Sequence, residues 1–134
     1  MLSANLKSLE FDRVLDLVAA QARTGPGKRA VLGRRPGTSL EEAERLQGEL
    51  TEMTRYYHAE GQVPLAGLID PEPILAREAL ELEDSWQVLR SIRATQALRE
   101  ALTRLDPPLP RLLRIASAIP DLGAVSSAVG RFFT

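Results

Sequence analysis

The chain has 134 residues, which is within the size of one domain, and it contains no cysteine. Disulfides, thiolate chemistry and cysteine-ligated metals are therefore excluded, and the lack of cysteine is typical of a reducing compartment. The longest apolar run near the N-terminus, residues 17–20, is too short for a signal peptide. No stretch approaches the roughly 20 apolar residues that span a bilayer. The sequence predicts a cytoplasmic protein without a membrane segment.

The net charge of −1 conceals a segmental pattern. Residues 1–38 carry seven basic and three acidic side chains, residues 39–84 three and twelve, and residues 85–134 seven and three. Two interpretations are open. The basic ends either attract the acidic middle within the fold, or they form a surface that faces nucleic acid. Fifteen of the 17 basic residues are arginine, which suits phosphate contact but is also common in GC-rich genomes.

Apolar residues at intervals of three and four predict helices along the first half of the chain. The first covers about 10–22 and buries a stripe that includes Leu9, Val14 and Val18. Thr24 and Pro26 mark the start of a second, at about 25–33. Thr38 and Ser39 each begin a capping box, and a long helix at about 39–59 follows. Its predicted buried stripe comprises Leu40, Ala43, Leu46, Leu50, Met53 and Tyr57, and its polar face includes Glu42, Arg45, Glu49 and Glu52.

The second half of the chain follows the same pattern. Asp70 and Pro71 mark a short helix at about 71–80, and a second long helix covers about 84–105 with Trp86 as a core anchor. Shorter helices at about 110–118 and 121–131 end the chain. Phe132 and Phe133 either dock on this core or belong against a part of a longer protein. No segment alternates with the period of a strand, so the predicted fold is all-α, an irregular helical bundle in one domain over residues 1–134.

Two groups of basic residues are candidates for phosphate contact. The first comprises Arg23, Lys28, Arg29, Arg34 and Arg35, and no acidic residue lies between positions 23 and 35. Aromatic residues are not interleaved with it, so backbone contact is predicted rather than base stacking. The second comprises Arg90, Arg93, Arg104, Arg111 and Arg114. Either group could instead neutralise the acidic middle helix.

Other possible sites fail on their context. The segment from Ala22 to Lys28 has the spacing of a Walker A loop, but Arg29 stands where a magnesium-binding Ser or Thr is needed, and a helix precedes it. His58 is the only histidine, so a metal site is not predicted. An enzyme would require a deep pocket lined by carboxylates such as Glu49, Glu52 and Glu78. No catalytic residue is predicted.

Several segments together resemble one family. Leu9-Glu10-Phe11-Asp12 with the following apolar helix is similar to the opening of the second-type MutS proteins, the MutS-II branch. Four further segments resemble the helices and the apolar loop that follow in that family. They are TSLEEAERLQGELTEMT after Pro36, VPLAGLIDPEPILAREAL, LRSIRATQALREAL and LLRIASAIPDLGAV. The likeness covers nearly the whole chain, and the opening motif and the loop at Pro64-Leu65 carry most of it.

The resemblance implies the start of the helical core and lever that joins a clamp to an ATPase. For the parent protein it implies ATP and magnesium as cofactors, a homodimer, often a C-terminal nuclease, and action on branched DNA or on collided ribosomes. None of the ATPase or nuclease motifs lies in these residues, so no cofactor is expected here. The function predicted is therefore a non-catalytic lever domain of such an ATPase in recombination control or ribosome rescue. The alternative is a stand-alone helical adaptor that binds a protein partner through an apolar stripe.

Overall fold

A computed structural model describes residues 10–133, and over this range it contains α-helices and turns but no strand. The helices are α1 (Phe11–Ala19), α2 (Gly25–Leu32), α3 (Leu40–Glu60), α4 (Glu72–Leu75), α5 (Leu82–Thr103), α6 (Pro110–Ala118) and α7 (Gly123–Gly130), followed by a 3₁₀ helix, Arg131–Phe133. The predicted all-α fold is confirmed. The chain separates into two compact units, Met1–Pro36 and Gly37–Thr134. The single domain predicted over residues 1–134 stays a prediction.

Helices α2 and α3 begin at side-chain caps that the sequence signals locally. Thr24 Oγ1 accepts the Gly27 N–H at 3.1 Å, and Ser39 Oγ accepts the Glu42 N–H at 3.1 Å. Both bonds satisfy a first-turn amide that has no partner within its helix. Of the two overlapping S/T-x-x-E patterns in the sequence, the helix begins at the one that starts with Ser39, whose side chain caps the Glu42 N–H.

The first unit is built from α1 and α2, which pack against each other. Leu15 and Ala19 are buried, but Val14 and Val18 are about half exposed and Leu17 is 66% exposed. The predicted burial of Val14 and Val18 is therefore wrong, and Leu9 lies outside the described residues. A partner helix of only eight residues covers one side of α1 and leaves the rest of its apolar surface open.

The core of the second unit lies where α6 packs against both α3 and α5. Its buried residues come from these helices and from the loop before α6, and partly buried residues surround them. The buried members are Tyr56, Leu102, Leu109, Leu112 and Ala116, and the surrounding ones are Met53, Val63, Leu98 and Leu105. Helix α7 packs against α5. The two long helices thus share one core through α6.

The face that α3 buries differs from the predicted stripe. Leu40 is 74% exposed and Leu50 is 60% exposed, whereas Tyr56 and Glu52 are 3% and 5% exposed. Tyr56 is buried in place of the predicted Tyr57, which lies outward. This face of α3 is buried because α6 packs against it, along positions four residues apart that carry Glu52 and Tyr56. Burial raises the pKa of Tyr56 above its ordinary value, and the nearby Glu60 carboxylate raises it further.

The segment between the long helices is less helical than predicted. Helix α4 has four residues, and Asp70 Oδ1 accepts the Glu72 N–H at 3.1 Å. Asp84 is buried, where it accepts the Glu81 N–H at 3.1 Å and pairs with Arg77 at 2.7 Å. These bonds start α5 two residues before the predicted start, because Asp84 serves as its third residue rather than its first.

Trp86 does not anchor the core, and the prediction that it does is wrong. It is 37% exposed, and its ring meets that of Phe133 edge-on, with centroids 5.2 Å apart. Phe133 is half-buried, while Phe132 is 81% exposed.

Over residues 10–133, no single helix combines the length and the apolar character needed to cross a membrane. Only α6 and Gly123–Phe133 taken together, bent by 49°, meet the criterion of length and composition.

Candidate nucleic-acid interface

The first predicted group of cations surrounds α2. We call Arg23, Lys28, Arg29, Arg34 and Arg35 the basic segment. Arg23 precedes the helix, Lys28 and Arg29 lie on it, and Arg34 and Arg35 follow it, and all five are exposed. A helix of eight residues is only about 12 Å long, so cations at both ends and along its length lie within a short stretch of surface. Such a cluster can follow a phosphate backbone.

The basic segment is a charged surface rather than a phosphate-binding loop. At the start of α2, the Gly27 N–H is taken by Thr24 Oγ1 and the Lys28 N–H by the Thr24 carbonyl at 2.9 Å. Pro26 has no N–H to offer. The Gly27 and Lys28 donors are therefore bonded within the helix and do not face an anion as the amides of a Walker loop do.

Two arginines of the basic segment also lie close to backbone. Arg35 Nη1 donates to the Arg34 carbonyl at 2.8 Å. The Arg29 guanidinium extends toward the start of its helix, where a Cβ built on Gly25 would lie 3.6 Å from its Nη1. Both side chains are exposed.

The second predicted group of cations is spread over α5, its C-terminal end and α6. Arg104 pairs with Glu100 on its own helix at 3.2 Å. Arg111 lies over α3, 3.9 Å from Glu52, and a Cβ at Gly48 would overlap its guanidinium. For Arg111 the predicted alternative, neutralisation of the acidic middle helix, is what the structure shows. Arg90 and Arg93 lie on the first half of α5.

A groove of about 420 Å³ runs between α3 and α6. Its lining mixes both signs of charge, from Glu41, Glu44, Arg45, Pro110, Arg111 and Arg114. The carboxylates named as possible catalytic groups do not meet in it. Glu49 pairs with Arg45 at 3.1 Å, Glu52 is buried, and Glu78 is exposed in the turn after α4. Within residues 10–133, no group of three or more His, Cys, Asp or Glu residues is placed to hold a metal ion.

Glu52 has a role that the sequence analysis missed. Its Oε2 accepts the backbone N–H of Arg111 at 2.8 Å and of Leu112 at 2.9 Å, so a side chain of α3 caps the start of α6. The residue in the N-cap position is Leu109, which has no acceptor in its side chain. The lack of an acceptor in the side chain at position 109 was the signal in the sequence that a distant residue has to accept the first N–H groups of α6. It did not identify that residue.

Comparison with known proteins gives a consistent result. Endonuclease MutS2 of Geobacillus kaustophilus (strain HTA426) is 30% identical over 133 residues, which cover 94% of this chain and 17% of the relative. Endonuclease MutS2 of Lactiplantibacillus plantarum is 26% identical over 140 residues, covering 100% and 18%. Endonuclease MutS2 of Symbiobacterium thermophilum is 26% identical over 131 residues, covering 95% and 15%. This chain is related to the MutS2 proteins.

The MutS2 relationship confirms the family resemblance of the sequence, and it concerns only a part of each relative. This chain spans 15 to 18% of the length of these relatives. No family model matches it, and no solved structure matches it. The endonuclease activity named in the relatives belongs to those whole proteins. Nucleic-acid binding by the basic segment stays a prediction for this chain.

Proposed function

We propose that this chain is a non-catalytic lever domain of a MutS2-type DNA-binding ATPase that acts in recombination control or ribosome rescue. The observation that carries the proposal is the similarity of 94 to 100% of the chain to proteins named Endonuclease MutS2, of which it spans less than a fifth. A region of this size without a metal-ligand cluster in its described part fits a structural role within a larger machine.

The long helices support a lever. Helices α3 and α5 have 21 and 22 residues, so each is about 32 Å long. Both pack against α6, whose Leu112 and Ala116 are almost fully buried. A closely packed interior transmits displacement because it has little free volume to absorb it. In this proposal, movement of one long helix reaches the other through α6.

The chemistry of the parent lies elsewhere in this proposal. ATP and magnesium bind an ATPase domain, a nuclease domain cleaves where one is present, and two copies of the parent associate. The basic segment contributes a contact to the phosphate backbone of DNA, or to ribosomal RNA, without reading sequence.

Glycine substitutions at exposed positions test the lever, because each costs a helix interior about 1 kcal/mol without removing a core side chain. In the MutS2-type protein that contains this chain, Leu50→Gly and Ala97→Gly soften α3 and α5. Leu50 is 60% exposed, and Ala97 is exposed. We expect the stimulation of ATP hydrolysis by DNA to fall severalfold, while hydrolysis without DNA stays unchanged.

The matched controls are Leu50→Ala and Ala97→Ser, which change the same positions but keep a Cβ on the helix. They should retain the stimulation. A protein whose stimulation by DNA survives both glycines contradicts the lever, provided that circular dichroism shows the variants folded.

A second function, the protein-binding adaptor, is favoured by one observation. Val14, Leu17 and Val18 form an exposed apolar stripe on α1, at the spacing of one helix face. The coding sequence beyond Thr134 separates the two functions. Continuation into a glycine-rich P-loop supports the lever, and a stop codon after Thr134 contradicts it.

A further inference from the structure

Helix α3 is more than twice as long as the helix that packs against it. It has 21 residues and is about 32 Å long, whereas α6 has nine residues and is about 14 Å long. The side chains that α3 buries at this contact are Glu52 and Tyr56. Within the part of the chain that the structure describes, much of the surface of α3 therefore stays open to solvent.

The open surface of α3 is apolar along one line. We call Ala43, Leu46, Leu50, Met53 and Tyr57 the α3 stripe. Leu50 is 60% exposed and Tyr57 is 43% exposed, Ala43 is exposed, and Leu46 and Met53 are half-buried. Exposed apolar residues that adjoin one another in this way and have polar borders are typical of a binding surface.

The spacing of the α3 stripe indicates the shape of its partner. Its members follow one another at intervals of three, four, three and four residues, which is the heptad pattern by which two helices pack side by side. A strand, whose side chains repeat every two residues, does not match these intervals. From Ala43 to Tyr57 the stripe is about 21 Å long, so it matches about 14 residues of a second helix.

The borders that α3 itself gives to the stripe are acidic. The neighbours of a residue on a helix surface lie three and four positions away. At those positions the stripe has Glu42, Glu49 and Glu60 and no Lys or Arg. The arginines of α3 lie elsewhere, at positions 45 and 55, and Arg45 pairs with Glu49 at 3.1 Å.

These borders distinguish between possible partners. Helix α3 carries six glutamates and two arginines, so a second copy of α3 laid along the stripe would bring like charges together. A helix with Lys or Arg beside its apolar positions would instead place opposite charges next to the border carboxylates, as the flanking positions of paired helices do.

We propose that the α3 stripe is the docking surface for an amphipathic helix of another protein, with apolar residues at heptad spacing and Lys or Arg at the flanking positions. Leu50 lies at the centre of the stripe and packs among the apolar side chains of that helix. The border carboxylates select its basic flanks. This inference does not rest on the lever role, and it concerns other residues than the exposed stripe of α1.

The test uses the 134-residue chain and a labelled synthetic peptide of about three heptads, with leucine at positions a and d and lysine at positions e and g. Fluorescence anisotropy measures its binding, and circular dichroism measures the helix that it gains. We expect saturable one-to-one binding that weakens as salt is added, since salt screens the charged borders. The same peptide with glutamate in place of lysine should bind at least about tenfold more weakly.

Two substitutions separate the apolar contact from the charge. Leu50→Gln removes the central side chain of the stripe and should weaken binding of the lysine peptide about tenfold. Its matched control is Leu75→Gln, because Leu75 is 61% exposed but lies on α4, outside the stripe. Glu60→Gln should weaken binding less and make it less sensitive to salt. Glu78→Gln, at an exposed position after α4, is the control for charge.

Several results would overturn the proposal. The lysine peptide could fail to bind at low salt, or the lysine and glutamate peptides could bind equally. Binding that Leu50→Gln leaves intact, while circular dichroism shows that variant folded, would place the contact elsewhere. A dimer of the chain in sedimentation velocity that Leu50→Gln abolishes would identify a second copy as the occupant. A lysine peptide that binds the 134-residue chain, but not the MutS2-type protein that contains it, would identify a helix of that same protein.

Discussion

At the scale of single residues, Glu52 is a buried charged side chain that joins two helices. A carboxylate taken out of water is costly unless hydrogen bonds replace those it loses. At 5% exposure, Glu52 receives two amide N–H bonds, and the Arg111 guanidinium lies 3.9 Å from its other oxygen. The residue therefore holds α6 against α3 while satisfying the first turn of α6.

Glu52→Ala should lower the free energy of unfolding by about 3 kcal/mol, because it leaves two amide donors of α6 without a partner. Glu52→Gln keeps an oxygen acceptor and should lose about half as much. Urea denaturation followed by circular dichroism measures both. Glu44→Ala, at an exposed position of the same helix, should change the free energy by less than about 0.5 kcal/mol. Equal effects at positions 52 and 44 would contradict the capping role.

Residue roles were predictable where the interaction is local. Thr24 and Ser39 bind amides three residues ahead, so their caps could be identified from the sequence. Glu52 binds amides 59 and 60 residues away, and no local pattern encodes such a partner. For the same reason Tyr57 was chosen over Tyr56, since hydrophobic spacing alone cannot say which side of α3 receives α6.

At the scale of elements, helix positions followed from the sequence better than helix ends did. Helix α6 has the predicted bounds, because Pro110 fixes its start and Pro120 follows its end. Helix α4 stops after four residues, although the predicted helix continued to residue 80. Arg77, which follows α4, pairs with Asp84 on α5, so the chain after α4 turns toward α5 and does not continue the helix.

The start of α3 offers a matched pair of substitutions. Ser39→Ala should lower the free energy of unfolding by about 1 kcal/mol, because the Glu42 N–H loses its acceptor. Thr38→Ala should have almost no effect, since Thr38 lies outside the cap. Thermal unfolding of the two variants checks this. A larger loss for Thr38→Ala than for Ser39→Ala would assign the helix start to the other capping box.

At the scale of the whole molecule, acidic and basic residues occupy three segments along the chain, as the sequence indicates. The structure decides which of the basic residues lie beside the acidic segment. The acidic middle segment is neutralised in part by Arg111 from the basic third segment. The two basic groups were treated alike in the sequence, whereas in the structure the basic segment surrounds one short helix and the second group is spread over α5 and α6. The contact between Trp86 and Phe133 was not predicted, because the two rings come from segments about 45 residues apart and Trp86 was assigned to the core.

The basic segment should make binding to duplex DNA steeply dependent on salt. With five phosphate contacts, the logarithm of the affinity should fall with the logarithm of salt concentration at a slope of up to about −4.5. Replacing Arg34 and Arg35 by glutamine should reduce that slope by about 2. Anisotropy of a labelled duplex at several salt concentrations gives the slope. Arg13→Gln, which removes an arginine paired with Glu10 in the same unit, is the control. An unchanged slope in the double variant would exclude these two arginines from the interface.

The bond between Glu52 and the start of α6 also has a consequence for folding kinetics. The caps at Thr24 and Ser39 close loops of three residues and form together with their helices. The Glu52 cap closes a loop of 59 residues, whose chain entropy costs about 3.6 kcal/mol before any contact compensates it. Because this long loop has to close first, we predict that the Glu52 cap forms after the transition state of folding. Glu52→Ala should then speed unfolding and leave the folding rate nearly unchanged, so that Glu52 sets how long the native state persists; stopped-flow unfolding and refolding in urea would measure both rates.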